Sequence, residues 1–252
     1  MEEDIQNIER KRRTQQAHQH HDLMLSRYPN EILDSFQTTV VVTGSEKLTH
    51  KPNVWATKII LEPTGSVEAL FNRAKGHCCV LNFASFKRPG GGFMTGAMAQ
   101  EESLCHSSTL YEVISKFKDT FYQENLHHLN DSLYSNRMLY SPGIVFEQNA
   151  KRAKASVITC AAPNRAASKA SSKENTECLS SRIHAMFTLA EVMKVDTFIV
   201  GAWGCGVFGQ NPTEVAQLMQ RRAKEFTGDT VVFAVPPGRS NNYQLFKMVL
   251  QQ

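Results

Sequence analysis

The sequence predicts an α/β fold, with a mixed or mostly parallel sheet covered by helices on both faces. Short apolar runs of strand length alternate with helical segments along most of the chain. The chain has 252 residues, enough for one large domain or one domain with a small appendage. Hydrophobic residues make up 41% and charged residues 21%, a globular composition that excludes collagen-like and wholly disordered classes.

The first fifth of the chain predicts a flank or cap. The polar segment up to about Tyr28 has weak helical spacing of its apolar residues and predicts an N-terminal helix. A helical stub and one short strand are expected before Pro52, and residues 63–65 predict a turn. We therefore expect residues 1–50 to form a helical extension and residues 51–252 to form the main domain.

Beyond this flank, strands and helices alternate. Ser66 is expected to N-cap a helix that ends near Lys75. The predicted strands are residues 78–83, 138–140, 144–146, 155–160, 197–200 and 230–235. Further helices are expected from residue 100, over residues 173–194 and 212–226, and from about residue 241. Ligands in such sheets bind where the carboxyl ends of the strands meet loops, so the loops after residues 83 and 200 are the candidate site.

Charge, terminal sequence and cysteine content also indicate the cellular compartment and the class of binding partner. Lys and Arg number 28 against 24 Asp and Glu, and a net charge of +4 is too weak to indicate nucleic-acid binding but suits a phosphate-bearing substrate. The N-terminus lacks the pattern of a secretory signal, and no apolar run approaches the roughly 20 residues that span a bilayer. The six cysteines form no Cys-x-x-Cys pair and indicate free thiols. We expect an intracellular protein, cytoplasmic or nuclear, with no membrane association.

Two clusters in the N-terminal helix have alternative interpretations. His18, His20 and His21 either contribute to a metal site or lie on a solvated helix face, and the lack of other clustered ligands favours the solvated face. The basic residues 10–13 either form a nuclear localisation signal or lie on a solvated helix face. The solvated face is the favoured interpretation.

A first glycine-rich segment follows the strand 78–83. It contains the run Gly90-Gly91-Gly92 and leads into Gln100-Glu101-Glu102 at a helix start. Three consecutive glycines let backbone N–H groups approach an anion closely, although the spacing is neither that of a Walker loop nor that of a dinucleotide-binding turn. The alternative for the three glycines is a flexible loop, and the alternative for the two acids is ordinary helix-dipole complementation. The occurrence of the glycines and the acids in one segment disfavours both alternatives.

A second glycine-rich segment, residues 200–209, follows a buried strand and precedes a helix that starts near Pro212. Exposed backbone donors in front of a helix N-terminus suit a diphosphate. Phe208 has two alternative roles: it stacks on a base or covers a ribose of the ligand, or it is a core aromatic residue. The sequence favours neither role over the other. Cys205 lacks an evident histidine base, so we set it aside as a nucleophile.

These motifs resemble those of poly(ADP-ribose) glycohydrolases of the shorter, bacterial type, which are macrodomain-fold enzymes. The resemblance is carried by the three glycines followed, after seven residues, by Gln-Glu-Glu, and by residues 103–111, 160–164 and 201–208. It covers roughly residues 30–252. It implies a three-layer α/β/α macrodomain over residues 51–252 and hydrolysis of ribose–ribose O-glycosidic bonds in poly(ADP-ribose), releasing ADP-ribose. No cofactor and no metal are expected.

The resemblance also implies roles for particular residues. Glu102 falls on the catalytic glutamate, which protonates the departing ribose oxygen and then activates water, and Glu101 falls on its companion, which holds ribose hydroxyls. Ser85 stands where the wider superfamily often has asparagine, and His106 stands where the bacterial branch often has arginine. The residues expected to bind ADP-ribose are Asn82, Ser85, Gly90, Gly91, Gly92, Phe93, Thr95, Gly96, Gln100, Gly204, Cys205, Gly206, Val207 and Phe208.

Helix geometry adds two expectations for the acidic pair. Neighbouring helical residues point about 100° apart, so Glu101 and Glu102 are expected to face different groups and to have separate roles. A helix N-terminus stabilises a carboxylate, so an acid role for Glu102 requires something to raise its pKa. Our hypothesis is that the diphosphate of the bound substrate does so.

The resemblance implies exo action, with residues 28–60 capping the distal ribose. A mono-ADP-ribosyl hydrolase acting on protein or nucleic acid is one alternative. A non-catalytic ADP-ribose reader is another, although a reader needs neither glutamate. The expected partners are poly(ADP-ribose) and ADP-ribosylated proteins, with ADP-ribose as the product, in the reversal of ADP-ribosylation after DNA damage. We expect a monomer and no direct nucleic-acid binding.

Overall fold

A seven-stranded mixed sheet forms the centre of the protein in this computed structural model, which describes residues 2–44, 56–238 and 240–251. The strands are β1 (Val40–Val42), β2 (Lys58–Glu62), β3 (Cys78–Phe83), β4 (Met138–Gln148), β5 (Lys151–Cys160), β6 (Thr197–Gly201) and β7 (Thr230–Ala234). The helices are α1 (Glu2–Arg27), α2 (Pro29–Thr38), α3 (Ser66–Arg73), α4 (Gln100–Cys105), α5 (Leu110–Ile114), α6 (Gln123–Asn125), α7 (Ser172–Val192), α8 (Pro212–Lys224) and α9 (Asn242–Leu250).

The strand order is β1-β4-β5-β3-β6-β7-β2. Strand β4 is antiparallel to both of its neighbours, β1 and β5, whereas β5, β3, β6, β7 and β2 run parallel. The carboxyl ends of β3, β5 and β6 therefore meet at one edge of the sheet, from which both glycine-rich segments leave. This confirms the predicted α/β class with a mixed sheet.

Helices cover both faces of the sheet. Residues of α7, α8 and α9 form one core with one face of the strands, and residues of α1 to α5 form a second core with the other face. All five residues of β6 are buried, as are five of the six in β3. Such continuous burial explains why these strands are uninterrupted apolar runs in the sequence.

Several elements differ from the sequence-based expectation. Gly65, rather than Ser66, occupies the N-cap of α3, and the Ser66 hydroxyl instead accepts a hydrogen bond from Gln100. The two runs predicted over residues 138–146 form one strand, β4, whose register shifts between Ser141 and Ile144. Gly143 has a φ of +71° within this bulge, a conformation that favours glycine. Strand β2 was not predicted at all.

The predicted boundary between residues 50 and 51 lies outside the described residues. On its N-terminal side, β1 pairs with β4 and belongs to the central sheet. No helix in the described part of the chain is both long enough and apolar enough to cross a membrane.

Candidate active site

The candidate site lies at the sheet edge formed by the carboxyl ends of β3, β5 and β6. We call residues 84–99, which follow β3, the first glycine loop, and residues 202–210, which follow β6, the second glycine loop. Gln100, the first residue of α4, ties this helix to β3. Its side-chain oxygen accepts the Phe83 N–H at 2.8 Å, and its side-chain nitrogen donates to Leu81 O at 2.9 Å. The start of α4 is thereby fixed against the end of the strand.

Glu102 holds the first glycine loop from inside. One carboxylate oxygen accepts the Gly92 N–H at 2.8 Å, and the other accepts the Ala99 N–H at 2.9 Å. The second contact is the backward half of a capping box, in which a residue of the first helical turn satisfies the backbone ahead of it. Only 6% of Glu102 is exposed. Both oxygens of this buried carboxylate are thus directed at the loop.

Glu101 is held by different partners. It accepts a hydrogen bond from Asn82 Nδ2 at 3.1 Å and another from the Ser85 N–H at 2.7 Å. Burial raises the pKa of Glu101 to about 8, and these two hydrogen bonds oppose the shift only in part. Glu101 is therefore a weaker acid than a solvent-exposed glutamate.

The two acidic side chains converge at Gly91. A Cβ atom at this position would lie 2.6 Å from Glu102 Oε1 and 2.9 Å from Glu101 Oε2. The two acids were expected to face different groups. This is correct for their hydrogen-bond partners, but it is wrong for the ends of their side chains, because one carboxyl oxygen of each lies beside Gly91. Gly91 also has a φ of +57°, so both its backbone conformation and the space around it require glycine.

Other residues predicted in the first glycine loop shape it. The Ser85 hydroxyl accepts the backbone N–H groups of Lys87 at 3.3 Å and Arg88 at 3.2 Å, so it organises the turn that precedes the glycines. Asn82 is fully buried, and its Oδ1 has no hydrogen-bond partner among the described residues.

Phe93, Thr95 and Gly96 contact neighbouring elements of the protein. The Phe93 side chain is fully buried and contacts the rings of His106 and Tyr111. The carbonyl groups of Thr95 and Gly96 accept hydrogen bonds from two arginines of α1, at 3.0 and 2.8 Å. These contacts support the loop, and the binding of ADP-ribose by these three residues stays a prediction.

The second glycine loop presents backbone donors. Among the described residues, the N–H groups of Gly206, Val207 and Phe208 have no hydrogen-bond acceptor. Val207 is 86% exposed, and a Cβ at Gly206 would have no neighbour within 4 Å. Asn211 caps the helix behind this loop, α8, through its side-chain oxygen. Three available amides in front of a 13-residue helix suit an anion.

The base of the second loop is rigid. Trp203 is fully buried and donates its indole N–H to Cys160 O at 2.9 Å. Gly204 has a φ of +76° and lies against Gln210, whose amide donates to Pro163 O at 2.8 Å. Burial raises the pKa of the Cys205 thiol to about 12, which agrees with setting it aside as a nucleophile.

An aromatic cluster that the sequence did not predict joins the two loops. Phe86 of the first loop stacks on Tyr134, with ring centroids 4.4 Å apart and an interplanar angle of 11°. Phe208 of the second loop contacts the edge of the same tyrosine at 6.2 Å. The backbone around Tyr134 has positive φ at Asn130, Asp131, Ser132 and Tyr134 itself. Asparagine and aspartate tolerate this conformation. The presence of these two residue types is the local sequence signal of the turn.

The histidines of α1 contact the main body of the protein. His20 bonds to Ser108 O at 3.1 Å, and His21 Nδ1 lies 3.0 Å from a carboxylate oxygen of Glu112. The favoured solvated-face interpretation is therefore wrong for these two histidines. No group of three or more potential metal ligands occurs among the described residues. His106 packs against Phe93, and its Nε2 is buried without a hydrogen-bond partner.

The chain is similar in sequence and in structure to bacterial poly(ADP-ribose) glycohydrolases (PARGs). A family model described as the catalytic domain of microbial-type PARG matches residues 2–149. The PARG of Thermomonospora curvata has a TM-score of 0.86 and 27% identity, covering 95% of this chain and 100% of that chain. The same enzyme bound to the inhibitor ADP-HPD gives 0.82 and 27%, covering 95% and 99%.

A second organism gives the same result. The PARG of Deinococcus radiodurans in complex with ADP-ribose has a TM-score of 0.77 and 28% identity, covering 89% of this chain and 98% of that chain. A search of curated proteins gave no match.

Proposed function

The chain belongs to the microbial-type poly(ADP-ribose) glycohydrolase family, and from this premise we propose how its residues share the hydrolysis of ribose–ribose O-glycosidic bonds. It is a glycoside hydrolase that acts on poly(ADP-ribose) and releases ADP-ribose. The observation that carries the proposal is the convergence of two buried carboxyl groups at Gly91, together with the unpaired backbone N–H groups of the second glycine loop.

ADP-ribose binds across the two glycine loops in this proposal. The free N–H groups of Gly206, Val207 and Phe208, together with the helix behind them, hold the diphosphate, and Gly204 and Cys205 form the base of that loop. The remaining contacts come from the first loop and its flanks, namely Asn82, Ser85, Gly90, Gly91, Gly92 and Gln100. The unpartnered Oδ1 of Asn82 is available as an acceptor for a ribose hydroxyl.

We assign the acid–base role to Glu102. Cleavage passes through an oxocarbenium-like state, so the reaction needs a proton for the leaving ribose oxygen and then a base for the attacking water. One carboxyl group supplies both in turn. The Oε1 of Glu102 lies beside Gly91, next to the carboxyl group of Glu101 that positions the sugar in this proposal, which supports this assignment.

Glu101 positions the sugar. Because burial raises its pKa to about 8, the group is neutral at pH 7 and donates a hydrogen bond to a ribose hydroxyl. The same observation favours a second candidate, in which Glu101 is the proton donor. Separate pH profiles of Glu101→Gln and Glu102→Gln distinguish the two, since only loss of the true acid removes the alkaline limb of kcat.

The bound diphosphate raises the pKa of Glu102 in our hypothesis, because a nearby negative charge disfavours a carboxylate. The pH dependence of kcat, which reports on the complex, is then expected to show an acidic group shifted upward from its value in kcat/KM. Equal values in both profiles contradict this idea.

We propose exo action, with residues 1–50 as an extension that supports the catalytic residues 51–252. Strand β1 ends at the same sheet edge as β3 and β5, whereas much of the predicted cap over residues 28–60 lies outside the described residues. Six free cysteines support action in a reducing compartment inside the cell, where ADP-ribosylated proteins are the partners. We propose that the working unit is a monomer.

The decisive experiment is product analysis by mass spectrometry, with poly(ADP-ribose)-modified protein as substrate. We expect wild type to release monomeric ADP-ribose from the first time points, and Glu102→Gln to bind the polymer without release. Short oligomers at early times contradict exo action. If wild type releases nothing but still binds ADP-ribose, the protein is a reader or a mono-ADP-ribosyl hydrolase. The same assay on mono-ADP-ribosylated protein distinguishes these two, since only the hydrolase releases ADP-ribose.

A further inference from the structure

We propose that a cationic groove between α1 and the helical turn at Phe93–Thr95 binds the poly(ADP-ribose) chain on the leaving side of the cleaved bond. This inference rests on the proposed function and adds a second binding surface to it. The released ADP-ribose unit occupies the cleft, whereas the rest of the polymer lies along α1. We call this surface the α1 groove.

The α1 groove has a volume of about 380 Å³. Its lining residues are Asn7, Arg10, Lys11, Thr14, Met94 and Thr95. The four residues from α1 follow the i, i+3, i+4, i+7 spacing, so they share one face of the helix. That face adjoins the docked side of α1, where Ala17 and Met24 are buried. The groove is thus the seam between the helix and the first glycine loop.

The seam is held in a defined geometry. Arg10 Nε donates to Thr95 O at 3.0 Å, and Arg13 Nε donates to Gly96 O at 2.8 Å. Gly96 has a φ of +75°, and a Cβ there would overlap the backbone oxygen of Arg10. The helix and the turn therefore approach each other as closely as a glycine allows, which keeps the cationic side chains beside the loop.

The α1 groove lies next to the reacting carboxylate. Glu102 accepts the Gly92 N–H, and the turn at Phe93–Thr95 begins with the next residue. Three residues extend at most about 10 Å, which bounds the path from the carboxylate to the groove. The second glycine loop leads into α8 on the opposite face of the sheet. ADP-ribose bound between the loops therefore has Glu102, and then α1, on its far side.

Charge complementarity identifies the occupant. Residues 10–13 are four consecutive cations, of which Arg10 and Lys11 line the groove. Arg13 is half-buried and lies 3.6 Å from Glu9, whereas Arg10 and Lys11 are exposed along the groove. In poly(ADP-ribose), each unit adds a diphosphate, and the leaving oxygen belongs to a ribose whose 5′ carbon bears the next one. Lysine and arginine bind such phosphates in a strongly salt-dependent way.

The experiment compares the binding of two ligands, long poly(ADP-ribose) and free ADP-ribose, to full-length protein. A Glu102→Gln background prevents cleavage during the measurement. Lys11 is exposed and makes no hydrogen bond with the loop among the described residues, so we test Lys11→Ala and Lys11→Glu. The matched control is Lys224→Glu, an equal charge reversal at the end of α8 on the opposite face.

We expect Lys11→Ala to weaken polymer binding about fivefold and to lower the slope of log affinity against log salt by about one. Lys11→Glu should weaken polymer binding further, while the affinity of both variants for ADP-ribose, and of the control for both ligands, stays unchanged. An equal loss for both ligands, no loss for the polymer, or an equal effect of Lys224→Glu overturns the proposal. Failure of the proposed function has a separate readout, since wild type would then release no ADP-ribose from the polymer.

Discussion

Replacing Gly91 with alanine is expected to lower kcat about 100-fold with only a modest loss of stability. The added Cβ lies 2.6 Å from Glu102 Oε1, whereas ordinary van der Waals contact begins at 3.4 Å, so the oxygen must retreat by about 0.8 Å. The oxygen of Glu101 at 2.9 Å must also move. Displacing a reacting group by about 1 Å costs on the order of 100-fold in rate.

The same substitution strains the backbone, and this effect needs its own control. A left-handed conformation costs a non-glycine residue about 1–2 kcal/mol. Gly143→Ala carries the same cost, because Gly143 has a φ of +71°, but nothing lies within 4 Å of its Cβ position. Steady-state kinetics on poly(ADP-ribose) and urea denaturation of both variants therefore separate strain from displacement. A kcat within threefold of wild type for Gly91→Ala, or an equal loss in Gly143→Ala, refutes the reasoning.

Three further predictions follow from the geometry. Because the pKa of Glu101 is raised from 4.5 in the unfolded chain to about 8, its protonated form stabilises the fold at low pH and this contribution is lost as the pH rises to about 8. Glu101→Gln should therefore gain stability relative to wild type between about pH 5 and pH 9 in urea denaturation, and a constant difference contradicts this. Gly96→Ala should undock α1 and speed the cleavage of this helix by trypsin, because the added Cβ would overlap the backbone oxygen of Arg10. Equal cleavage rates in Gly96→Ala and Gly143→Ala contradict the idea that this close approach holds α1 in place. Arg182→Met removes the guanidinium donors of two backbone carbonyl groups, those of Leu133 and Ala161, and should cost about 3 kcal/mol in chemical denaturation, against almost nothing for the exposed Arg152→Met.

The central fold could be predicted because its strands are buried on both faces. In β3 and β6 that burial produces continuous apolar runs, and Asn211 followed by Pro212 marks the start of α8. Strand β2 escaped prediction because it lies at the sheet edge and is only partly buried. The short helical turns between α4 and β4 also escaped prediction, since their conformation depends on packing rather than on a periodic pattern.

The candidate site was predicted in its parts but not in its assembly. Three consecutive glycines followed by two acids indicated an anion-binding loop and a catalytic pair. The convergence of those acids at Gly91 depends on side-chain torsions, which helix periodicity does not determine. The stack of Phe86 on Tyr134 joins residues that are far apart in the sequence, and the left-handed turn before Tyr134 has only a weak local signature.

The N-terminal helix shows a different limit of sequence reasoning. Its polar composition suggested a solvated face, although the family match begins at residue 2. In the structure, α1 docks through the buried Ala17 and Met24 and through directed hydrogen bonds from Arg10, Arg13 and His20 to backbone carbonyl groups. The hydrogen bonds leave no hydrophobic periodicity in the sequence, and the few buried apolar residues give only weak helical spacing.

The half-buried thiol of Cys205 in the second glycine loop affects how the enzyme responds to reactive small molecules. Electrophiles and peroxides attack the thiolate form of cysteine, and a thiol with a pKa of about 12 is almost entirely protonated at neutral pH. Cys205 should therefore be sulfenylated more slowly than a fully exposed thiol. A covalent warhead aimed at this cysteine gains little, and an inhibitor of the cleft has to obtain its affinity from reversible contacts with the loop amides.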